Sequence, residues 1–193
     1  ARELLLARDG LGVKPLYYAE CPAGFLFASE IKSLLQDPSL SRALDVRAVR
    51  DHLSYIYCPG PRTMLEGVHK VMPGEVIRVR EGNVVSRKRY WSLPFDQVLE
   101  PFSMDEAASC VREQIRTAVH RQMVSDVPVG AFLSGGLDSS AVVAFAREKV
   151  SGKFPCFTIS FAGNDAGEGL TDDLPYARKV AEHLGVDLHN LRI

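Results

Sequence analysis

The sequence has few of the features that mark metal-binding, disulfide-bonded or membrane-spanning proteins. Its four cysteines, Cys21, Cys58, Cys110 and Cys156, lie far apart and form no CxxC pair. This spacing argues against a zinc site or a disulfide framework and favours free thiols in a reducing compartment. No apolar stretch approaches the roughly 20 residues needed to cross a bilayer, and no segment has the pattern of a secretory signal. We therefore expect a cytoplasmic protein without a membrane partner.

The sequence also lacks an excess of charge of either sign. Its 193 residues carry 23 Lys and Arg and 24 Asp and Glu, which gives a formal net charge of −1. A chain without a basic surface does not attract nucleic acid over a broad area, so we expect no nucleic-acid partner. Any phosphate site in this chain must depend on donors that lie close to the phosphate.

Three common motifs for phosphate binding or nucleophilic catalysis are missing. The phosphate-cradling pattern GxxxxGK(S/T) and the dinucleotide pattern GxGxxG do not occur. The serine-hydrolase pattern GxSxG fails because Phe132 and Leu137 stand two residues before Ser134 and Ser139. These absences argue against a Walker-type nucleotide hydrolase, a dinucleotide-binding fold and a serine hydrolase.

The first half of the chain, residues 1–91, has the apolar alternation and turn residues of β-structure. Apolar runs on either side of residues 20–24 predict a hairpin with a five-residue loop. Asp45 is placed to cap a short helix, and residues 81–83 predict the turn of a second hairpin. Residues 92–102 contain two prolines and little periodicity, so we assign them to a linker.

Residues 103–193 change to an alternation of strands and helices. Ser103 and Glu106 match the capping box, in which each side chain serves the backbone amide of the other residue. Strands are then predicted at 127–133, 154–162 and 186–193, with helices at 139–149 and 174–184. Asp173 is the predicted cap of the last helix. This order predicts a parallel α/β sheet.

One polar string, SGGLDSS at residues 134–140, follows the first of these strands. In open parallel sheets, ligands bind beyond the carboxyl ends of the strands. The two glycines let the backbone turn tightly and bring its amides close to a ligand, and the N-terminus of the next helix attracts anions. The three serine hydroxyls offer further donors. The string therefore predicts a phosphate or pyrophosphate site.

The string resembles the pyrophosphate loop, SGGxDS, of ATP pyrophosphatases, which cleave ATP between its α and β phosphates. The resemblance implies that ATP is bound by Ser134, Gly135, Gly136, Leu137, Asp138, Ser139 and Ser140. Asp138 would also be a ligand of Mg²⁺, since this cation prefers oxygen ligands. The alternative is that Asp138 only caps the following helix. We expect ATP and Mg²⁺ as cofactors.

The wider sequence resembles the glutamine-dependent asparagine synthetase family over nearly its whole length. The string DVPVGAFLSGGLDSSAVVA resembles the start of its synthetase domain, and LLLARDGLGVKPLYYA resembles the late part of its glutaminase domain. The resemblance implies an α/β fold class in two partial domains. Residues 1–91 would be the end of an N-terminal-nucleophile α+β glutaminase domain with its connecting segment. Residues 103–193 would be the first βαβ units of a parallel-sheet ATP-pyrophosphatase domain, with Phe132 and Ile159 in its adenine pocket.

The resemblance implies that the intact protein makes asparagine from aspartate, ATP and glutamine-derived ammonia through an aspartyl-adenylate. The resemblance leaves open whether the protein forms a homodimer. We expect the chain to be a fragment, because the family's N-terminal Cys nucleophile would lie upstream of Ala1. None of the four cysteines in the sequence is expected to replace it. Two alternatives are another ligase on the same plan, such as a β-lactam synthetase or a peptide-modifying homologue, and an inactive nucleotide-binding fragment.

Overall fold

The computed structural model describes residues 3–22, 24–95, 103–160 and 172–193. The chain divides into two compact units, Ala1–Val98 and Leu99–Ile193, and each is described by itself below. Part of the predicted linker, residues 92–102, lies outside the described residues. The limits of the linker and of the predicted domains stay a prediction.

The first unit consists of two antiparallel sheets and two short helices in its described residues. Its elements are β1 (Glu3–Ala7), β2 (Tyr17–Cys21), β3 (Gly24–Ala28), α1 (Ile31–Leu34), α2 (Val46–Tyr55), β4 (Val68–Lys70), β5 (Glu75–Arg80) and β6 (Asn83–Arg89). One sheet has the strand order β1-β5-β6 and the other has the order β3-β2-β4.

The two predicted hairpins are present, with one correction. Strands β2 and β3 pair from Tyr17 opposite Ala28 to Cys21 opposite Gly24. The predicted five-residue loop at 20–24 is therefore wrong, because cross-strand pairing extends the strands into it. The second hairpin, β5 with β6, forms as predicted, and the Asp45 side chain caps α2.

The buried Tyr18 ring lies at the centre of an aromatic cluster in the first unit. Its centroid is 5.6 Å from that of Phe25 and 5.4 Å from that of His69, and the Arg87 guanidinium lies 5.1 Å from the same ring. Burial lowers the pKa of His69, and the positive charge of Arg87 lowers it further. The fold therefore favours the neutral form of His69.

The second unit contains one parallel sheet with helices between its strands, which confirms the predicted α/β fold class. Its described elements are α3 (Met104–Gln122), β7 (Ala131–Phe132), α4 (Leu137–Arg147), β8 (Pro155–Ser160), α5 (Leu174–Leu184) and β9 (Asp187–Arg192). The strand order is β7-β8-β9, with both neighbouring pairs parallel. Among the helices of the described ranges, none combines the length and apolar character needed to span a bilayer.

The core of the second unit lies on one face of this sheet. The buried side chains of Leu133 and Cys156 on the sheet pack with Val143 of α4 and Ala177 of α5. Successive residues of a strand point to opposite faces, so Phe132 and Phe157 lie on the other face. The packing of the core on one face therefore leaves Phe132 and Phe157 on the face of the sheet that is turned away from the core.

The helix ends of the second unit confirm two predictions and correct one. Ser103 and Glu106 form the predicted capping box, and α5 ends at Leu184 as predicted, with Gly185 as its C-cap at a φ of +62° that suits glycine. Asp173 occupies the N-cap position of α5, but its side chain accepts no capping hydrogen bond. Asp172 serves the helix instead, since its Oδ1 accepts a hydrogen bond of 3.0 Å from the amide of Leu174.

Candidate functional site

The SGGLDSS string forms the loop that joins β7 to α4, at the carboxyl end of a parallel strand. Strand β7 is shorter than predicted, although the amide of Leu133 still donates to the carbonyl of Phe157 at 2.8 Å. The chain leaves the sheet at Ser134, and α4 begins at Leu137 after Gly136 as N-cap. Helix α4 thus begins earlier than residue 139, where the sequence pattern placed its start. The loop lies where open parallel sheets bind ligands.

Two serine hydroxyls form hydrogen bonds within the loop. The Ser134 and Ser139 Oγ atoms are 2.9 Å apart, and the Ser139 Oγ is 3.3 Å from the carbonyl of Gly136. The amide of Gly136 in turn donates to the Ser134 Oγ at 3.4 Å. Since each hydroxyl has a single proton, Ser134 donates to Ser139 and Ser139 donates to the Gly136 carbonyl. We call this arrangement the serine ring.

The first-turn amides of α4 have no side-chain cap among the described residues. The N-cap Gly136 cannot provide one, and the described residues offer no other acceptor to the amides of Leu137, Asp138 and Ser139. The first backbone bond of the helix is donated by Ser140 to the carbonyl of Gly136, at 3.1 Å. Helices α2 and α3 differ, because Asp45 and Ser103 cap them. The amides of α4 are therefore free to bind an anion.

Ser140 adds to the same turn a polar atom that bonds to no described residue. Its Oγ is shielded from solvent and makes no hydrogen bond within the described residues. A buried hydroxyl without a partner is unfavourable, and such groups commonly bond to a water molecule or a ligand. The donors of this turn, free amides and one free hydroxyl, suit the oxygens of a phosphate group.

Asp138 stands in the first turn of α4 with its side chain exposed. It is not the helix cap, because Gly136 holds that position, so the alternative role of Asp138 as a cap is wrong. No Lys, Arg or His of the described ranges forms an ion pair with it. The described residues also contain no cluster of three or more candidate metal ligands. Asp138 thus has a carboxylate without an ion-pair partner in the described ranges, in the same helix turn as the uncapped amides.

Phe132 and Ile159 lie on the same face of the sheet, opposite the core. Phe132 pairs in register with Phe157, and Ile159 follows two residues later on the same strand. Phe132 is 72% exposed and Ile159 is 41% exposed. The two side chains form part of an apolar surface at the carboxyl ends of β7 and β8. Their predicted contact with adenine stays a prediction.

Sequence reasoning missed the contact between the loop and α5. Gly135 has a φ of +81° and lies against the first turn of that helix. A Cβ at Gly135 would come within 2.5 Å of the Tyr176 Cβ and 2.6 Å of the Ala177 nitrogen. No local sequence pattern carries this signal, since the two segments are distant along the chain. Gly135 is therefore required both by its backbone angle and by the approach of a second helix.

A separate cavity of about 500 Å³ lies at the opposite end of the same sheet, near Val129 and Pro155. These two residues lie at the amino ends of β7 and β8, away from the SGGLDSS loop. Ligands of open parallel sheets bind at the carboxyl ends, and this cavity contains none of the loop donors. The open surface at the loop is therefore the better candidate site.

Two family models match different parts of the chain. The family model described as glutamine amidotransferase domain matches residues 1–91, and the model described as asparagine synthase matches residues 110–193. An amidotransferase part followed by a synthase part defines the class of amidotransferase-linked ligases. Within that class, the chain belongs to the glutamine-hydrolysing asparagine synthetase family.

Individual relatives are similar over nearly the whole chain. The glutamine-hydrolyzing asparagine synthetase 3 of Bacillus subtilis (strain 168) is 37% identical over 96% of this chain and 31% of its own length. The glutamine-hydrolyzing asparagine synthetase 1 of the same strain is 34% identical over 94% of this chain and 27% of its own. Amidase chyE of Penicillium rubens is 35% identical over 100% of this chain and 30% of its own. The chain thus spans less than a third of the length of these relatives.

Proposed function

We propose that the full-length protein is an ATP-dependent ligase that makes asparagine from aspartate and ammonia released from glutamine. The observation that supports this most directly is the SGGLDSS loop, whose uncapped helix amides lie at the carboxyl end of a parallel strand. Family membership supports the choice of substrates, because the names of several relatives state glutamine-dependent asparagine synthesis.

The proposed reaction has two steps in the synthetase part. A carboxylate oxygen of aspartate attacks the α-phosphorus of ATP, the bond to the β-phosphate oxygen breaks, and pyrophosphate leaves with the electron pair. Ammonia then attacks the acyl carbon, the bond to the AMP oxygen breaks, and loss of a proton gives asparagine. Activation is needed because a free carboxylate is a poor electrophile.

The loop would act on the leaving pyrophosphate. Negative charge grows on its oxygens as the phosphorus–oxygen bond breaks, and the free amides of Leu137, Asp138 and Ser139 would donate to them. Donors already in place stabilise such charge without reorganising during the reaction. The free Ser140 hydroxyl would supply a further donor.

Asp138 would hold Mg²⁺ at this loop. A carboxylate and a phosphate at one helix terminus repel each other unless a cation lies between them, and no described cationic side chain pairs with Asp138. Mg²⁺ commonly binds one or two carboxylates together with substrate phosphates. When bound, the ion would neutralise phosphate charge. The exposed Phe132 and Ile159 side chains would contact the adenine ring.

A proline substitution tests the amide role directly. Leu137 is the first residue of α4 and its side chain is 86% exposed, so Leu137→Pro removes one amide at a position where helices tolerate proline. The preceding Gly136 has φ −71° and ψ 167°, which is compatible with a following proline. Leu137→Ala keeps the amide and serves as the matched control.

The measurement is aspartate-dependent exchange of labelled pyrophosphate into ATP by the full-length protein. We expect Leu137→Pro to lower the exchange rate about 10²- to 10³-fold, as removal of a charge-stabilising donor does, with Leu137→Ala near wild type. Absence of exchange in the wild-type protein with any carboxylic acid would refute adenylation. Equal exchange in the proline and alanine variants would refute the amide role.

The role of Asp138 is tested by Asp138→Asn, with Asp126→Asn as the control at an exposed loop position. We expect Asp138→Asn to raise the Mg²⁺ concentration needed for half-maximal exchange at least about 10-fold, since even outer partners of a metal affect its affinity by that factor. An unchanged Mg²⁺ requirement would remove Asp138 from the metal site.

A second candidate function follows from the amidase-named relatives. Amidase chyE and amidase chry2 of Gibberella zeae are 35% and 33% identical to the chain over its whole length. Their names state amidase, so the second candidate is a protein of the same plan that acts on another acid or amide. A β-lactam synthetase or a peptide-modifying ligase would be such a protein. Exchange that depends on another carboxylic acid but not on aspartate would favour this candidate.

A further inference from the structure

The first turn of α5 packs against the SGGLDSS loop at Gly135. A Cβ added to Gly135 would lie 2.5 Å from the Tyr176 Cβ and would also collide with the Tyr176 carbonyl carbon. Real Cβ atoms do not approach so closely, so the two backbones are already in contact. Any ligand on the loop amides therefore has the first turn of α5 as its neighbour.

Helix α5 does not offer this ligand its backbone amides. The amide of Leu174 donates to the Asp172 Oδ1 at 3.0 Å, and Pro175 has no amide hydrogen. The amides of Tyr176 and Ala177 both donate to the carbonyl of Asp173, at 3.1 and 2.9 Å. The first turn of α4 differs, because no residue that the structure describes caps its amides. What α5 can contribute is a side chain.

Tyr176 and Ala177 both lie against Gly135, and of the two only Tyr176 has an exposed side chain. The neighbouring Ala177 is fully buried in the core, whereas Tyr176 is 54% exposed. Within the described residues, its hydroxyl makes no hydrogen bond. The string at 134–140 contains no Lys or Arg to meet an anion. A phenol hydroxyl is a neutral donor that can supplement the amides there.

We propose that Tyr176 is a binding residue for the nucleotide, with its hydroxyl donating to an oxygen of the phosphate chain held by the loop. This inference rests on the proposed function of the loop and adds to it a donor from a second helix. Because α5 is packed against Gly135, the tyrosine is held by the fold at the edge of the site. Because packing fixes its backbone, only the side chain of Tyr176 has to be ordered when a ligand binds, which limits the entropy lost on binding.

Tyr176→Phe tests the hydroxyl without removing the ring. Tyr55→Phe is the matched control, since Tyr55 is an exposed tyrosine of the first unit and lies outside the loop. The measurements are the dissociation constant of MgATP by calorimetry, the KM for ATP in pyrophosphate exchange, and the Tm, all on the full-length protein. We expect Tyr176→Phe to weaken MgATP binding about 10-fold or more, as loss of a hydrogen bond to a charged group does. The Tm should not change, and Tyr55→Phe should match wild type.

The outcomes separate this inference from the function on which it rests. If wild type binds MgATP, Leu137→Pro abolishes binding and Tyr176→Phe binds normally, the inference about Tyr176 is wrong while the loop keeps its role. The same conclusion follows if Tyr176→Ala weakens binding but Tyr176→Phe does not, because the ring would then act only by packing. If wild type neither binds MgATP nor exchanges pyrophosphate, both the proposed function and the inference are wrong.

Discussion

Gly135→Ala is the substitution whose effect the structure defines most sharply. Gly135 has a φ of +81°, a conformation that costs a residue with a Cβ about 1–2 kcal/mol. The added methyl would also lie 2.6 Å from the Ala177 nitrogen, a backbone atom that cannot move without moving α5. Overpacking of this kind costs about 1–3 kcal/mol more. We therefore expect a loss of about 2–5 kcal/mol in the free energy of opening of the second unit.

Two other glycines of the same unit distinguish the cost of the positive φ from the cost of the close contact with α5. Gly185 has a φ of +62°, but a Cβ there would meet no atom of a described residue within 4 Å, so Gly185→Ala should cost only about 1–2 kcal/mol. Gly136 has a φ of −71°, and among the atoms that the structure describes a Cβ there would meet only the Ser134 Oγ, at 3.5 Å. Gly136→Ala should therefore stay within about 1 kcal/mol of wild type.

The assay is native-state hydrogen exchange by mass spectrometry on the peptide that contains β8, the central strand of the described sheet. Protection there reports the opening of this unit alone, which avoids treating a protein of several units as two-state. If Gly135→Ala loses no more protection than Gly185→Ala, α5 does not press on the loop. That result would refute both the contact and the placement of Tyr176 that depends on it.

Three further predictions concern the rest of the fold. Leu133→Ala should lower the opening free energy of the second unit by about 2–5 kcal/mol because Leu133 is buried, whereas the exposed Phe132→Ala should change it little, both measured by the same exchange assay. Ser103→Ala should cost about 1 kcal/mol through loss of the capping box. The hydrogen bonds from Ser103 hold the pKa of Glu106 below its ordinary value, so the stability they give is present at neutral pH and lost as the pH falls through the carboxylate range. The difference in stability between wild type and Glu106→Gln should therefore shrink as the pH falls. A difference that does not change with pH would contradict this prediction. In the first unit, burial lowers the pKa of His69, so protonation opposes folding and stability should fall as the pH drops below the ordinary histidine pKa of 6.5. His69→Phe should reduce this loss of stability, measured by hydrogen exchange of β4 over a series of pH values. An unchanged loss of stability would contradict the role given to His69.

Features that depend on residues close together in the sequence could be predicted. The capping box at Ser103 depends on two side chains three positions apart, and Asp45 stands directly before its helix. Asp173 shows the limit of such signals. Two aspartates precede α5, both have the right chemistry, and only the backbone conformation decides that Asp172 accepts the hydrogen bond.

Features that depend on distant residues could not be predicted. The loop between β2 and β3 is shorter than the sequence suggests because the cross-strand pair Cys21 and Gly24 continues the ladder. In the candidate site, the string of glycines and serines was recognised from its composition, and its position after a strand was correct. The approach of Tyr176 to Gly135 was not foreseen, because it arises from the packing of α5 on the sheet.

The serine ring determines how the loop can discriminate between ligands. Ser134 and Ser139 each use their single proton within the loop, so their hydroxyls set its shape before any ligand arrives. A ligand then meets a rigid row of amides and loses little conformational entropy in ordering them. Amides in a fixed row select by the spacing of ligand oxygens more than by total charge. A loop of this kind should therefore distinguish a diphosphate from two separate phosphate ions at the same concentration.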